Sequence, residues 1–188
     1  MLPKNFSDFP NNHKIDIYAI AEPAKEVGGD FHDFFLIYKN KLAILIGDVS
    51  GKGIPAALFI VVAKTLIKNS AQSGNSPEEI FKNVNKTMCQ DNNQNMFVTT
   101  WMGILKIDTG KFTFVNAGHN PPILIKNNNH TFLKSKPNFV LGGMENTEYH
   151  QNEIFLKDEE KIFLYTDGIT EAINKMTKLL EKNVYLKL

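Results

Sequence analysis

Three aspartates stand at the ends of apolar runs, each beside glycine. Asp30 follows Gly28 and Gly29 and leads into Phe31, His32 and Asp33. Asp48 closes the run Leu45-Ile46-Gly47 and opens Val49-Ser50-Gly51-Lys52-Gly53, and Asp167 lies between Thr166 and Gly168 after Phe163-Leu164-Tyr165. A carboxylate at the end of a buried strand is costly unless it is paired. A single one is most often a turn former or helix cap. Asp48 could cap a helix starting near Ile54, although Gly51, Lys52 and Gly53 intervene. Three such acids at one end of a sheet stack would make an oxygen-rich cluster whose mutual repulsion raises its pKa values unless a cation compensates. Mg²⁺ and Mn²⁺ favour that donor set of carboxylates, carbonyls and water. The neighbouring glycines let the backbone approach closely and free a carbonyl to coordinate.

Four further residues carry weaker chemistry. Lys52 could meet a phosphate or could be a solvated loop lysine. His119, within Asn116-Ala117-Gly118-His119-Asn120, could act as an acid or hold a turn. Asp33 could support the acidic cluster or be satisfied locally, and Glu171 suits the first turn of a helix, where the dipole favours it. Two apparent motifs are rejected. Gly47 to Gly53 is too short for a phosphate-binding P-loop, and glycine rather than Ser or Thr follows Lys52. Asp108-Thr109-Gly110 reads as a hairpin turn rather than an aspartic-protease motif.

The elements that must position these residues fall into two strand groups. Lys14–Ile20, Phe31–Tyr38 and Leu42–Gly47 form the first, with Tyr38-Lys39-Asn40-Lys41 as the turn of a hairpin. The second comprises Phe97–Ile107, Lys111–Asn116, Pro122–Ile125, Thr131–Leu133, Glu148–Leu156 and Lys161–Tyr165. A nearly all-apolar helix spans Ile54 to about Lys68, with Pro55 at its first turn. A second begins at Ser76-Pro77-Glu78-Glu79, a capping box, and carries a stripe of Ile80, Phe81, Val84 and Met88. A third begins after Gly168 and runs through Ala172 towards Leu180. The pattern predicts an α+β fold, two antiparallel sheets with helices outside.

Composition narrows the function. The 188 residues suit one domain with a sizeable core. Twenty-one basic against twenty acidic side chains leave a net charge of +1, with no basic excess for nucleic acid. Arginine is absent, so phosphate recognition must rest on lysine, backbone N–H groups or metal. Cys89 is the only cysteine, which excludes an intramolecular disulfide and fits a reducing compartment. Met1 to His13 has no signal-peptide core. The apolar run Ile54 to Ala63 is short of the ~20 residues that span a bilayer, so the expected location is cytoplasmic.

Four segments together resemble a known family: Pro23 to Phe31 (PAKEVGGDF), Gly47 to Leu58 (GDVSGKGIPAAL), Asn116 to Pro122 (NAGHNPP) and Leu164 to Asn174 (LYTDGITEAIN). In type and order they are similar to the SpoIIE/RsbU-type bacterial serine/threonine phosphatases of the metal-dependent PPM family. The resemblance implies an α-β-β-α sandwich with two Mn²⁺ or Mg²⁺ ions at one edge. It implies that Asp48 bridges both ions, that the Val49 carbonyl binds one, that Asp30 ligates a metal or holds its water, and that Asp167 ligates the second. Hydrolysis of phosphoserine or phosphothreonine would then use a water between the ions and no side-chain nucleophile. The implied substrate is a phosphorylated regulatory protein, often a STAS-type anti-sigma-factor antagonist.

The same comparison assigns 1–13 as an N-terminal extension and 14–188 as the phosphatase domain. Family members carry a final aspartate on a last strand, whereas Glu181 is the only carboxylate side chain after Asn174 here. The domain is therefore expected to lack its usual C-terminal strand. A catalytically weak or inactive descendant that binds a phosphoprotein or partner is the alternative reading. The helix Ile54–Lys68, beside the Asp48 loop, is the expected seat of a regulatory partner, with Phe59 as an exposed apolar position. A homodimer is also expected.

Overall fold

The computed structural model describes residues 15–19 and 28–170, except 39, 91, 93 and 128. Hairpins build most of it. β1 (Asp30–Ile37) pairs antiparallel with β2 (Lys41–Val49), and Tyr38 takes the left-handed conformation of the expected turn. After two helices, α1 (Ile54–Gln72) and α2 (Pro77–Gln90), come β3 (Val98–Lys106) and β4 (Lys111–Ala117). Gly110, at φ 67°, closes the turn between them, with its N–H on the Lys106 carbonyl. The remaining elements are β5 (Ile123–Lys126), β6 (Asn129–Phe132), β7 (Asn152–Phe155), β8 (Lys161–Phe163) and the single turn α3 (Asp167–Thr170).

The strands form a five-stranded sheet, β1-β2-β3-β4-β7, and a three-stranded sheet, β6-β5-β8, all antiparallel. Alternation along the strands of the larger sheet sends side chains to two cores. One face carries Phe31, Phe35, Leu45, Met102 and Val115 into a core with Ala63 and Ile67 of α1 and Ile80, Phe81 and Val84 of α2. The other carries Ile46, Trp101, Phe112 and Phe114 against Leu124, Leu133 and Ile162 of the smaller sheet's side. The layers are thus helix, sheet, sheet; an outer helix layer on the smaller sheet, as in the expected α-β-β-α sandwich, would fall outside the described residues.

Several expectations shift. Residues 15–19 form no strand, because no ladder partner meets them among the described residues. The expected strand from Glu148 begins only at Asn152: residues 138–150 make isolated bridges at Asn138 and Leu141, and side chains hold the segment between them and β7. Asn138 donates to the carbonyls of Asn116 and His150 and accepts from the His150 N–H. α1 runs four residues past Lys68 and stops where Gly74 adopts φ 88°. At α2 the capping box forms as expected: the Ser76 N–H and Oγ both donate to Glu79 Oε2 at 2.8 Å. The N-terminal extension, Glu171, most of the third helix and the expected shortened C-terminus lie outside the described residues.

By length and composition α1 could cross a membrane, unlike the short run read from the sequence. Its buried residues, Ala56, Ala63, Ile67 and Ala71, recur along one side, as in a sheet-covering helix. Phe59 is not exposed as expected: it is partly buried against the core, with its ring close to Gly142. Exposed apolar positions on α1 are Ile54, Leu58, Val61 and Val62.

Asn85 is the buried polar pin of this layer. Its Nδ2 donates to the Met144 and Glu145 carbonyls at 2.8 and 3.0 Å, while its Oδ1 accepts from the Gly142 N–H at 2.8 Å. Replacing Asn85 with alanine removes all three bonds and strands the buried Gly142 N–H, while the Met144 carbonyl keeps the Thr147 hydroxyl. Asn85→Ala should lower the unfolding free energy by about 3 kcal/mol, read from the urea midpoint at unchanged denaturant slope.

Candidate metal centre

Strand register brings the first two aspartates together. Asp30 opens β1 and Asp48 lies near the end of β2, and the two are direct cross-strand partners. Asp167 arrives from the smaller sheet, where the chain leaves β8 and turns into α3. One carboxylate oxygen from each of Asp30, Asp48 and Asp167 lies within 4.8 Å of the other two. Thr166 Oγ1 donates to Asp30 Oδ2 at 2.7 Å, tying the two segments. Asp48 does not cap α1, whose N-cap is Gly53 with no side-chain hydrogen bond.

The cluster is electrostatically unsatisfied on its own. Burial, and then the Asp30 and Asp167 charges, push the Asp48 carboxyl up to about 6; the Val49 backbone hydrogen bond opposes this only partly. Space is also reserved for a small occupant. A Cβ on Gly29 would collide with Asp48 Oδ1 and would sit 3.2 Å from the Val49 carbonyl oxygen, so that carbonyl borders the same pocket as the carboxylates. Crowded carboxylates, one carbonyl and a glycine wall match the oxygen donors preferred by Mg²⁺ and Mn²⁺. Asp30, Asp48, Asp167 and the Val49 carbonyl therefore fit a divalent ion.

The other candidates separate. Asp33 is one strand face away from Asp30 and pairs with Lys64 of α1 at 3.3 Å, so it does not join the cluster. Lys52 is exposed between Gly51 and Gly53, both in the left-handed region. Ser50 anchors the base of this loop: its N–H donates to the Phe97 carbonyl and its Oγ accepts from the Phe97 N–H, each at 2.8 Å. His119 is buried, and Asn116 closes its turn by accepting from the His119 N–H at 2.8 Å and donating to its carbonyl at 3.0 Å. Its Nδ1 lies 3.4 Å from Thr99 Oγ1, which is also 3.4 Å from the Asp48 carbonyl. Burial lowers the His119 pKa to about 4, against a backbone hydrogen bond with Tyr165 and the Asp167 charge. His119 is thus a neutral post between β3 and the segment carrying Asp167.

Sequence reading anticipated the close approach at Gly29 but missed Thr166 and the Lys64 partner of Asp33. Thr166 had a signal, its place beside Asp167; Lys64 had only its charge on an apolar helix.

Comparison with known proteins agrees with this geometry. The SiaA-PP2C domain of Pseudomonas aeruginosa superposes with a TM-score of 0.73 at 18% identity, over 87% of this chain and 66% of that one. RsbX in complex with magnesium gives 0.66 at 20% identity, over 81% and 72%. The fold is that of a PP2C-type phosphatase domain. Residues 38–188 match the family model of Stage II sporulation protein E (SpoIIE). The phosphoserine phosphatase RsbU of Bacillus subtilis is 35% identical over 165 residues, which is 87% of this chain. The chain belongs to the SpoIIE family. It spans about half, 49%, of the length of RsbU.

Two predictions follow from the carboxylate cluster. Because the folded-state pKa of Asp48 is raised from 3.8 to about 6, the native state keeps a proton that the unfolded chain has lost between those values. Asp48 therefore subtracts stability as pH rises through about 4 to 6, and the loss is full above it. His119, lowered from 6.5 to about 4, acts in the opposite direction over much of that window, so only a paired comparison isolates Asp48. In EDTA, Asp48→Asn should gain melting temperature relative to wild type as pH goes from about 4 to 7, followed by scanning calorimetry. Gly29→Ala should weaken Mn²⁺ binding while leaving the metal-free melting temperature close to wild type, measured by titration calorimetry and a thermal melt.

Proposed function

We propose that this domain hydrolyses phosphoserine or phosphothreonine on a regulatory protein, using two Mn²⁺ or Mg²⁺ ions held by Asp30, Asp48, Asp167 and the Val49 carbonyl. The observation that carries the reading is the convergence of three carboxylates within 4.8 Å at the edge of two sheets. Family membership supports the reaction class, and the magnesium complex of RsbX supports the ion class. When bound, such ions neutralise phosphoryl oxygens and make a water acidic enough to attack at neutral pH.

The chain's own groups do the rest. Asp48 stands between Asp30 and Asp167 electrically, feeling both charges, and is the natural shared ligand. Thr166 spends its hydroxyl hydrogen on Asp30 and orients that carboxylate. Lys52, on its exposed glycine-flanked tip, is free to reach a phosphate or an acidic flank of the substrate.

A STAS-type anti-sigma-factor antagonist is the expected substrate, and the family resemblance is what supports it. The neutral, single-cysteine composition supports a cytoplasmic setting. A regulatory partner, or a second copy of the chain, would cover the exposed stripe of Ile54, Leu58, Val61 and Val62 on α1.

The test is turnover of a phosphoserine protein across Mn²⁺ concentration. Wild type should be inactive in EDTA and restored by Mn²⁺, and Asp48→Asn and Asp167→Asn should each lose at least about a hundredfold in rate while staying folded. A folded wild type that binds Mn²⁺ without turnover would overturn the enzyme reading in favour of a phosphoprotein-binding descendant.

A further inference from the structure

α1 is fastened to β1 at three levels. Lys64 Nζ donates to the His32 carbonyl at 3.2 Å and pairs with Asp33 Oδ2 at 3.3 Å. Further along, Lys68 Nζ lies 5.2 Å from the centre of the Phe35 ring, and the Tyr38 hydroxyl donates to the Gln72 carbonyl at 3.1 Å. The fastening at Lys64 is the one nearest the carboxylate cluster, two and three residues along β1 from Asp30.

That fastening differs from the other two in its burial. The Lys64 and Asp33 side chains retain only 15% and 18% of their exposure. A buried ion pair is a poor source of stability, since desolvation offsets the attraction and apolar replacements are often neutral. Its location suggests another purpose. Among the described residues β1 is at the edge of the five-stranded sheet and takes ladder hydrogen bonds from β2 alone. Its first residue, Asp30, sits opposite Asp48, and like charges directly opposite each other loosen a strand pair. The end of β1 that must present a ligand is therefore the end where like-charge repulsion opposes the ladder. Lys64 grips that end twice, at the backbone of His32 and at the side chain of Asp33, which is itself held to the strand by the Phe34 N–H at 2.9 Å.

We propose that Lys64 is a positioning residue for the metal centre: by holding His32 and Asp33 it keeps Asp30 in register with Asp48 and Asp167. This rests on the divalent-ion reading of the cluster. It predicts that the ion pair governs metal affinity separately from fold stability.

The experiment compares the full chain with Lys64→Met and with the double variant Lys64→Met/Asp33→Asn, by calorimetric titration with Mn²⁺ and by thermal melts in EDTA. Lys64→Met buries an unpaired carboxylate and should melt lower. The double variant removes that charge and should recover the wild-type melting temperature. Mn²⁺ affinity should nevertheless stay about tenfold weaker in the double variant, the lower end of what losing a ligand-orienting partner costs. Recovery of both melting temperature and affinity in the double variant would overturn the proposal, leaving the pair a packing feature. Should Lys64→Met fail to fold, the double variant alone decides. Failure of the wild type to bind Mn²⁺ at all would overturn the metal reading and this proposal with it. Binding without phosphatase turnover would sink only the enzyme reading.

Discussion

Repulsion among Asp30, Asp48 and Asp167 is the constraint around which this domain is built. At the 4.8 Å limit of their separation, two unit charges in a partly solvated site repel by roughly 3 kcal/mol. A ladder hydrogen bond contributes about 1 kcal/mol net. The single backbone pairing of Asp30 with Asp48 therefore cannot hold the ligands together; the force has to come from elsewhere in the fold. Partial protonation of Asp48 relieves some of the repulsion below about pH 6. A divalent cation relieves it at neutral pH, so the preference for an ion is built into the apoprotein.

The opposing force comes from rigid surroundings on both faces of the sheet. Trp101 and Phe114 stack with ring centres 5.7 Å apart in the core between the sheets, and Phe112 packs 5.7 Å from the same indole. A Cβ on Gly103 would collide with Phe112, so the pile of rings is seated directly on the backbone of β3. β3 is the central strand, and through Thr100 Oγ1 it donates to the Ile46 carbonyl at 2.8 Å, two residues before Asp48. The position of Asp48 is thus set by the best-packed part of the molecule. Asp30 is on an edge strand and Asp167 on a segment leaving the smaller sheet, and each is secured by side chains: Thr166, Lys64 through β1, and His119 between them and β3.

That division explains what the sequence made legible. Strand-end aspartates beside glycine could be read as a cluster because each lies within a local pattern of apolar run, acid and small residue. The Ser76–Glu79 cap and the Tyr38 and Gly110 turns were readable for the same reason: their chemistry is contained within a few residues. The contacts that were not readable are long-range. Asp33 meets Lys64 across 31 positions of sequence, and Thr166 meets Asp30 across 136. No local periodicity marks such pairs. The strand expected from Glu148 failed for a related reason. Asn138 and Asn85 satisfy the loop's backbone from the side, and a local alternation of residue types cannot reveal that a distant amide has replaced a ladder.

The absence of arginine acquires a meaning in this light. Among the described residues, three carboxylates converge here and Lys52 is exposed on the adjoining loop, so the metal-free cluster is negative and repels a phosphate ester. A bidentate guanidinium near Asp48 would bring the phosphate in, but it would also neutralise the carboxylates and compete with a cation for them. An arginine-free cleft avoids that competition: its negative charge is left for the metal, and an anionic substrate gains an attractive site only after the cation has bound. On the proposed reading, metal loading would therefore precede phosphate binding.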